Sequence, residues 1–353
     1  MVSLKRMAEI VGFSQDPLDR LAQIRQEIAR LTAEETELVQ TLRGSIHFEQ
    51  ILPDTDKAST ALHRQLFENE RVHPVESVQE LIAKRIGREG DNKRCFARVI
   101  PNGQPTVSAG ICTALVNVPT NNGEVDYGQI PGNIEQIRDM DIAEFTPPER
   151  GEGTTVAVLY TISSSSKHEW ERGGRPLANS TYKFLHAEAA QRGHPLIIST
   201  LSPVRKINDW LKDQDCLADL FAGPRDDFMA FLEDAGNRQA ISAKVMEYLI
   251  TEQDPVLNFH LGNGAYIGDL KYNSGNTEDW VMVNYVYPSD VGMLEENKAA
   301  YKATKVRAIA PHLQVHLGRD ASLKSQVNCV IYPEGRSLTG LPVPAAPPPV
   351  LES

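Results

Sequence analysis

Cysteine is scarce in this chain, and long apolar runs are missing. Its 353 residues hold four cysteines, Cys95, Cys112, Cys216 and Cys329. They stand far apart in sequence, without a CxxC pair or metal-ligand spacing, which argues against a zinc ribbon or a disulfide framework and points to a reduced, intracellular compartment. No apolar stretch approaches the ~20 residues of a membrane span. The N-terminal MVSLKRMAEIVGFSQDP starts basic but lacks the apolar core of a secretion signal. A cytoplasmic location is expected, with no membrane partner. Positive charge is also short: 36 Lys and Arg against 47 Asp and Glu give a formal net charge of -11. A surface of that sign repels polyanions, so nucleic acid is not an expected partner, although a local basic patch can still hold a small anionic group.

What remains is ordinary globular material, 41 % hydrophobic and 24 % charged. The length suits one large domain, or a main domain with a smaller helical one. Three regions are expected: a helical region over 1–70, a main domain over 71–318, and a strand followed by an extended proline-rich tail over 319–353. A helix is expected from Asp16 to Arg43, with Pro17 in its first turn. On it, Leu21, Ile24, Ile28, Leu31, Leu38 and Leu42 recur at alternating three- and four-residue spacing, with Glu35 breaking the stripe. Such a stripe commonly packs on its own domain; the alternative is a hairpin or coiled coil that joins subunits, with 57–70 as the partner helix.

After Val72 the texture alternates. CFARVI (95–100), TVSAGICTALV (106–116) and TTVAVLYTI (154–162) read as strands. A turn-rich insertion with a short helix near Ile134 separates the last two. A helix over 177–192 and a strand over 194–200 follow, then helices near 206–211, 225–233 and 241–250. DWVMVNYVY (279–287) reads as a strand, and 295–309 as a helix. Strand–helix–strand order after Thr154 implies an α/β or α+β core.

Two segments carry chemistry. STLSP (199–203) puts Ser199, Thr200 and Ser202 at a strand end, where open α/β sheets place ligands, although a serine before proline more often caps a turn. NFHLGNGA (258–265) sets His260 among Asn258, Asn263 and glycines able to make a tight turn; a lone histidine beside apolar residues is more often structural.

These segments gain meaning from their neighbours. NERVHPVESVQELIAKRIG (69–87), KRCFARVIPNGQP (93–105), TVSAGICTALVNVPTNN (106–122) with IPGNIEQI (130–137), VLYTISSS (158–165), STLSP, PVLNFHLGNGA (255–265) and VMVNYVY (281–287) resemble, in order, the catalytic domain of the malonyl-CoA decarboxylase family. The resemblance spans about Asn69 to Ile309. It implies a GNAT acyltransferase-like mixed sheet flanked by helices, here preceded by a short N-terminal helical region, and an enzyme that converts malonyl-CoA to acetyl-CoA and CO2. It carries the family's catalytic serine and histidine onto Ser202 and His260, and its strand tyrosine onto Tyr285 or Tyr287, with Tyr285 taken as catalytic. Ser199, Thr200, Asn258, Asn263 and Tyr287 are the implied substrate-binding residues. Arg172, Gly173, Gly174 and Arg175 are expected to hold the CoA pyrophosphate near a helix N-terminus. No cofactor is implied beyond the thioester, carried on CoA or on a carrier protein, because the thioester is itself the electron sink. A homo-oligomer is implied as well.

The chain also departs from the family. Val286 stands where relatives carry arginine, which leaves Arg205, Lys206 or Lys271 as candidate replacement cations. The loop SSSSKHEWERGG (163–174) is longer, and Trp170 is placed to cover an adenine or a pantetheine arm. An acyltransferase passing acetyl or malonyl to an amine, a decarboxylase for a modified malonyl group, and a non-catalytic binding protein are the competing readings.

Overall fold

A computed structural model describes residues 17–54, 56–70, 73–100, 106–121, 124–149, 152–164, 174–204, 206–212, 225–252, 254–272, 280–317 and 329–331. The tail beyond 331, with its prolines, lies outside these residues, as do Trp170, Arg172, Gly173 and Arg205.

The core is one mixed sheet. Its strands are β1 (His47–Ile51), β2 (Lys93–Ile100), β3 (Thr106–Asn121), β4 (Glu124–Val125), β5 (Gly153–Ser164), β6 (Leu196–Thr200), β7 (Ser202–Pro203), β8 (Tyr266–Tyr272), β9 (Val281–Tyr287), β10 (Arg307–Ile309) and β11 (Cys329–Ile331). They run in the order β1-β2-β3-β5-β6-β9-β8-β10-β11, with β4 beside β3 and β7 beside β9. β5 and β6 pair in parallel, as do β8 with β10 and β10 with β11; the other pairs are antiparallel. This is the mixed sheet flanked by helices that the resemblance implied. β1 comes from HFEQI, which carries no strand pattern of its own; it forms because it pairs antiparallel with β2.

Ten α-helices are described: α1 (Pro17–Ser45), α2 (Lys57–Asn69), α3 (Val78–Arg85), α4 (Ile134–Arg138), α5 (Gly174–Arg192), α6 (Ile207–Lys212), α7 (Arg225–Phe231), α8 (Ala235–Thr251), α9 (Pro255–Leu261) and α10 (Val291–Thr304). None is long and apolar enough to cross a membrane. α2 lies across the sheet with Leu66 over Gly110, so closely that a Cβ at 110 would meet the leucine at 2.4 Å. α5 covers the middle of the sheet, packing on β2, β3, β5 and β6. β2 and β9 are therefore buried along almost their whole length.

Several expectations change. α1 forms, yet the described part of its stripe does not pack on its own domain: Leu21, Ile24, Ile28 and Leu31 are 43 %, 44 %, 58 % and 50 % exposed, while the side chains of Leu38 and Leu42 lie outside the described residues. The helix expected over 295–309 is two elements. α10 stops at Thr304, Lys305 takes a left-handed φ of 55°, and 307–309 join the sheet. β8 and α9 had no separate forecast, because Gly268 interrupts the alternation of β8 and α9 spans only seven residues.

The cysteines are not all apart. Antiparallel pairing of β2 and β3 sets Cys95 directly opposite Cys112, with Cα atoms 4.2 Å apart, and the two form a buried disulfide. A sequence separation of 17 hides this contact, because only the strand register reveals it. The pairing corrects the expectation of four unpaired cysteines.

Candidate active site

The site forms where the sheet ladder breaks. β6 pairs with β9 through Ile198–Tyr287 and Ser199–Val286, and pairing resumes only at Ser202–Val283. Across the gap, side chains replace backbone partners. Asn284 Nδ2 donates to the Thr200 carbonyl at 2.7 Å, and the Tyr285 N–H donates to Thr200 Oγ1 at 3.2 Å. The Leu201 N–H turns instead to the Leu159 carbonyl at 3.0 Å. Because alternate residues share a face, Thr200 and Ser202 emerge together, with their hydroxyls 2.9 Å apart.

His260 arrives from α9. Buried Asp254 caps that helix by accepting from the Val256 and Leu257 N–H groups, Pro255 fits its first turn, and Tyr248 donates to Asp254 from α8. His260 is in the last turn, with its carbonyl accepting from the Asn263 and Ala265 N–H groups. Gly264 makes the exit possible: its φ is +92°, and a Cβ there would meet the Leu294 carbonyl oxygen at 2.4 Å.

Three elements thus converge. His260 Nε2 is 3.0 Å from Ser202 Oγ, and Nδ1 is 2.8 Å from the Tyr287 hydroxyl. The ring stacks on Tyr285, centroids 4.5 Å apart and 18° between planes. Thr200, Ser202, His260 and Tyr287 therefore form a continuous hydrogen-bonded chain. The imidazole is 3 % exposed, and burial among rings and hydroxyls, with no carboxylate bonded to it, pushes its pKa down to about 3. It is neutral at pH 7 and carries one N–H, either on Nε2 toward Ser202 or on Nδ1 toward Tyr287.

A cleft of about 260 Å³, counting the solvent space at its mouth, opens beside this chain, lined by Tyr287, Asn263, Ile198 and Leu159 together with Tyr182 of α5 and Leu294 of α10. Tyr287 is the member of the chain on its wall; His260 lies behind. Asn263 is buried, and neither of its amide atoms has a hydrogen-bond partner among the described residues. Ala178 and Asn179, one turn into α5, complete the lining, so the N-terminal end of that helix adjoins the cleft.

Ser202, His260, Tyr285, Tyr287 and Thr200 are brought together, and Asn263 reaches the cleft. Asn258 and Ser199 are not with them. Asn258 accepts from the Tyr301 hydroxyl and ties α9 to α10. Ser199 pairs with Val286 on the face opposite Thr200. Tyr285 touches the imidazole through its ring face, while its buried hydroxyl has no partner. Gly174 and Arg175 open α5.

Val286 alternates between two tyrosines that both touch His260, so its side chain faces away from the imidazole and packs over Gly268, where a Cβ would meet it at 2.3 Å. A missing arginine at 286 therefore removes no cation from beside His260. The candidate substitutes lie elsewhere: Lys206 is exposed, and Lys271 is held by Asp269 and by the carbonyls of Tyr127 and Gly128. Two residues escaped the sequence reading. Asn284 closes the ladder gap, and Tyr182 donates to the Pro288 carbonyl while lining the cleft. Asn284 precedes Tyr285 within the tyrosine segment, which is the one signal that pointed to it.

Solved structures share this architecture. The malonyl-CoA decarboxylase of Rhodopseudomonas palustris aligns with a TM-score of 0.57 at 20 % identity, over 84 % of this chain and 72 % of that one. The malonyl-CoA decarboxylase of Agrobacterium vitis gives 0.59 at 21 % identity, over 85 % and 74 %. That of Cupriavidus metallidurans gives 0.50 at 19 % identity, over 78 % and 68 %. At these identities the likeness establishes a common fold. No protein-family model matches the chain, and no curated protein sequence does.

Proposed function

We propose that this protein is a divergent member of the malonyl-CoA decarboxylase family, releasing CO2 from a malonyl thioester held on CoA or on a carrier protein. The observation that carries the reading is the hydrogen-bonded chain Ser202–His260–Tyr287 ending on the wall of a cleft. In this reading the thioester lies along the N-terminal end of α5. Gly174 and Arg175, with Arg172 and Gly173 before them, receive the pyrophosphate at the helix N-terminus. The acyl end enters the cleft beside Asn263 and Tyr287.

The chemistry follows from these groups. The bond between the α-carbon and the carboxylate breaks, CO2 leaves, and the electron pair moves onto the thioester oxygen as an enolate. The unpartnered Asn263 Nδ2 is a fixed donor for that oxygen. The α-carbon then takes a proton from the Tyr287 hydroxyl, and the His260 Nδ1–H holds the phenolate oxygen left behind. Once CO2 and the thioester leave, Tyr287, on the cleft wall, recovers its proton from solvent, so that one proton is consumed per turnover. Ser202 orients the imidazole through Nε2, and Tyr285 fixes its plane. A neutral imidazole suits this role, because it donates to Tyr287 without placing a further charge in the buried site.

The acyltransferase alternative fits the histidine less well. An amine acceptor must lose a proton, and an imidazole with a pKa of about 3 is a weak base for that task. The exposed stripe of α1 supports self-association of the chain, and a CoA thioester substrate supports a cytoplasmic setting.

The test is incubation with malonyl-CoA, with and without added amines, followed by mass spectrometry. Acetyl-CoA formed without an acceptor is expected; product only when an amine is present would make the protein a transferase. Tyr287→Phe is expected to lower kcat by about 10²-fold or more with little change in KM, the scale of a lost general acid. Ser202→Ala should lower kcat less.

A further inference from the structure

The sheet face that carries the candidate active site has a second pocket, under the other end of α5. Ala178 and Tyr182 cover the cleft described above; Leu185, Glu188 and Arg192 border a solvent-open pocket of about 250 Å³, counting the space at its mouth, that also takes in Arg94 of β2, Thr155 of β5 and Leu196 of β6. Leu196 and Thr200 are four residues apart on one strand, so the two sites are separated by roughly 13 Å along β6.

The polar half of this pocket is unbalanced. Arg94 is almost fully buried, and its Nη1 donates to Glu188 at 2.6 Å. Arg192 meets the same carboxylate at 2.8 Å. Two guanidinium groups share one carboxylate, which leaves one positive charge beside a pocket. Among the described residues, Arg94 Nε has no hydrogen-bond partner, and neither has the hydroxyl of Thr155, a side chain with no exposed surface. Orphaned donors of this kind, next to excess positive charge, are costly unless an acceptor completes them. A planar guanidinium edge with a hydroxyl nearby matches the two oxygens of a carboxylate. Apart from His194, the rest of the lining is apolar, including Phe145, Leu185 and Leu196. Inorganic phosphate would leave that half unfilled, whereas a short hydrocarbon tail would cover it.

We infer that this pocket is a binding site for a small monocarboxylate with a short apolar tail, separate from the thioester cleft. Arg94 and Arg192 neutralise the carboxylate, Thr155 donates to one of its oxygens, and Phe145 and Leu196 hold the tail. The site uses Arg94 of the KRC segment, a residue with no part in the decarboxylation chemistry. It stands whether or not the cleft decarboxylates malonyl groups.

The experiment is calorimetric titration of the full chain with sodium butyrate, with sodium phosphate as the second arm. Saturable one-to-one butyrate binding is expected, weakened about tenfold or more in Thr155→Val and in Arg192→Met, as for a lost hydrogen bond to a charged group. Binding should persist in Tyr287→Phe. Thr155→Val keeps the side-chain volume, so folding is checked by its thermal transition, while Arg192→Met tests the same point from the half-exposed side. Butyrate that fails to saturate, binds equally to both variants, or is lost only in Tyr287→Phe overturns the proposal. Phosphate binding more tightly than butyrate overturns the ligand class.

Discussion

Replacing His260 with glutamine should make the protein less sensitive to mild acid. The imidazole has an ordinary pKa of 6.5, and burial lowers it to about 3 in the folded chain. Below pH 6.5 the unfolded chain therefore binds a proton that the folded chain refuses. The stability this histidine contributes is complete above pH 6.5 and is lost as pH falls toward 3. At pH 4 the gap is roughly 2.5 pH units, and at 1.36 kcal/mol per unit the loss is about 3 kcal/mol. Glutamine keeps a donor and an acceptor near Ser202 and Tyr287 but cannot titrate. Urea unfolding of both proteins at pH 7 and pH 4 gives the measurement. Every other titrating group is common to both proteins and cancels in the comparison. The wild-type protein should lose about 3 kcal/mol more than His260→Gln between the two pH values. Equal losses would refute the assignment of a neutral, desolvated imidazole, as would an NMR titration showing ring protonation near pH 6. The same shift predicts that kcat carries no ionisation of this residue between pH 5 and pH 8.

Three further outcomes are expected. Gly264→Ala forces a side chain into a left-handed backbone against the Leu294 carbonyl, so it should cost on the order of 1–3 kcal/mol and lower activity by moving the end of α9; a thermal scan with a rate assay checks both. Alkylation of the urea-unfolded chain should label Cys95 and Cys112 only after reduction, read by peptide mass spectrometry; labelling before reduction would contradict the disulfide. Exchanging Ile24 and Ile28 for glutamate should lower the mass measured by light scattering while leaving helix content and thermal stability nearly unchanged, because both side chains are exposed within one chain.

Much of the site was legible before any coordinates. STLSP, NFHLGNGA and VMVNYVY lie in β6–β7, α9 with its exit turn, and β9, and the pairing of Ser202 with His260 needed only the motif resemblance. The choice between Tyr285 and Tyr287 needed the structure. The two share a face and differ in what they present, a ring plane from Tyr285 and a hydroxyl from Tyr287. The end of α9 likewise separated Asn263, in the exit turn, from Asn258, inside the helix, and strand alternation turned Val286 away from the histidine, distinctions a motif does not contain.

By itself the sequence determined an α/β or α+β core, most element positions and the residue types of the site, because hydrophobic period and glycine placement are local properties of the chain, while the mixed sheet followed only from the family resemblance. Only the tertiary structure decided the Cys95–Cys112 pairing, the exposure of the α1 stripe, the depressed histidine pKa and the second pocket under α5. Each depends on strand register or on burial between distant segments. Those quantities arise when the chain closes on itself, and no spacing along it encodes them directly.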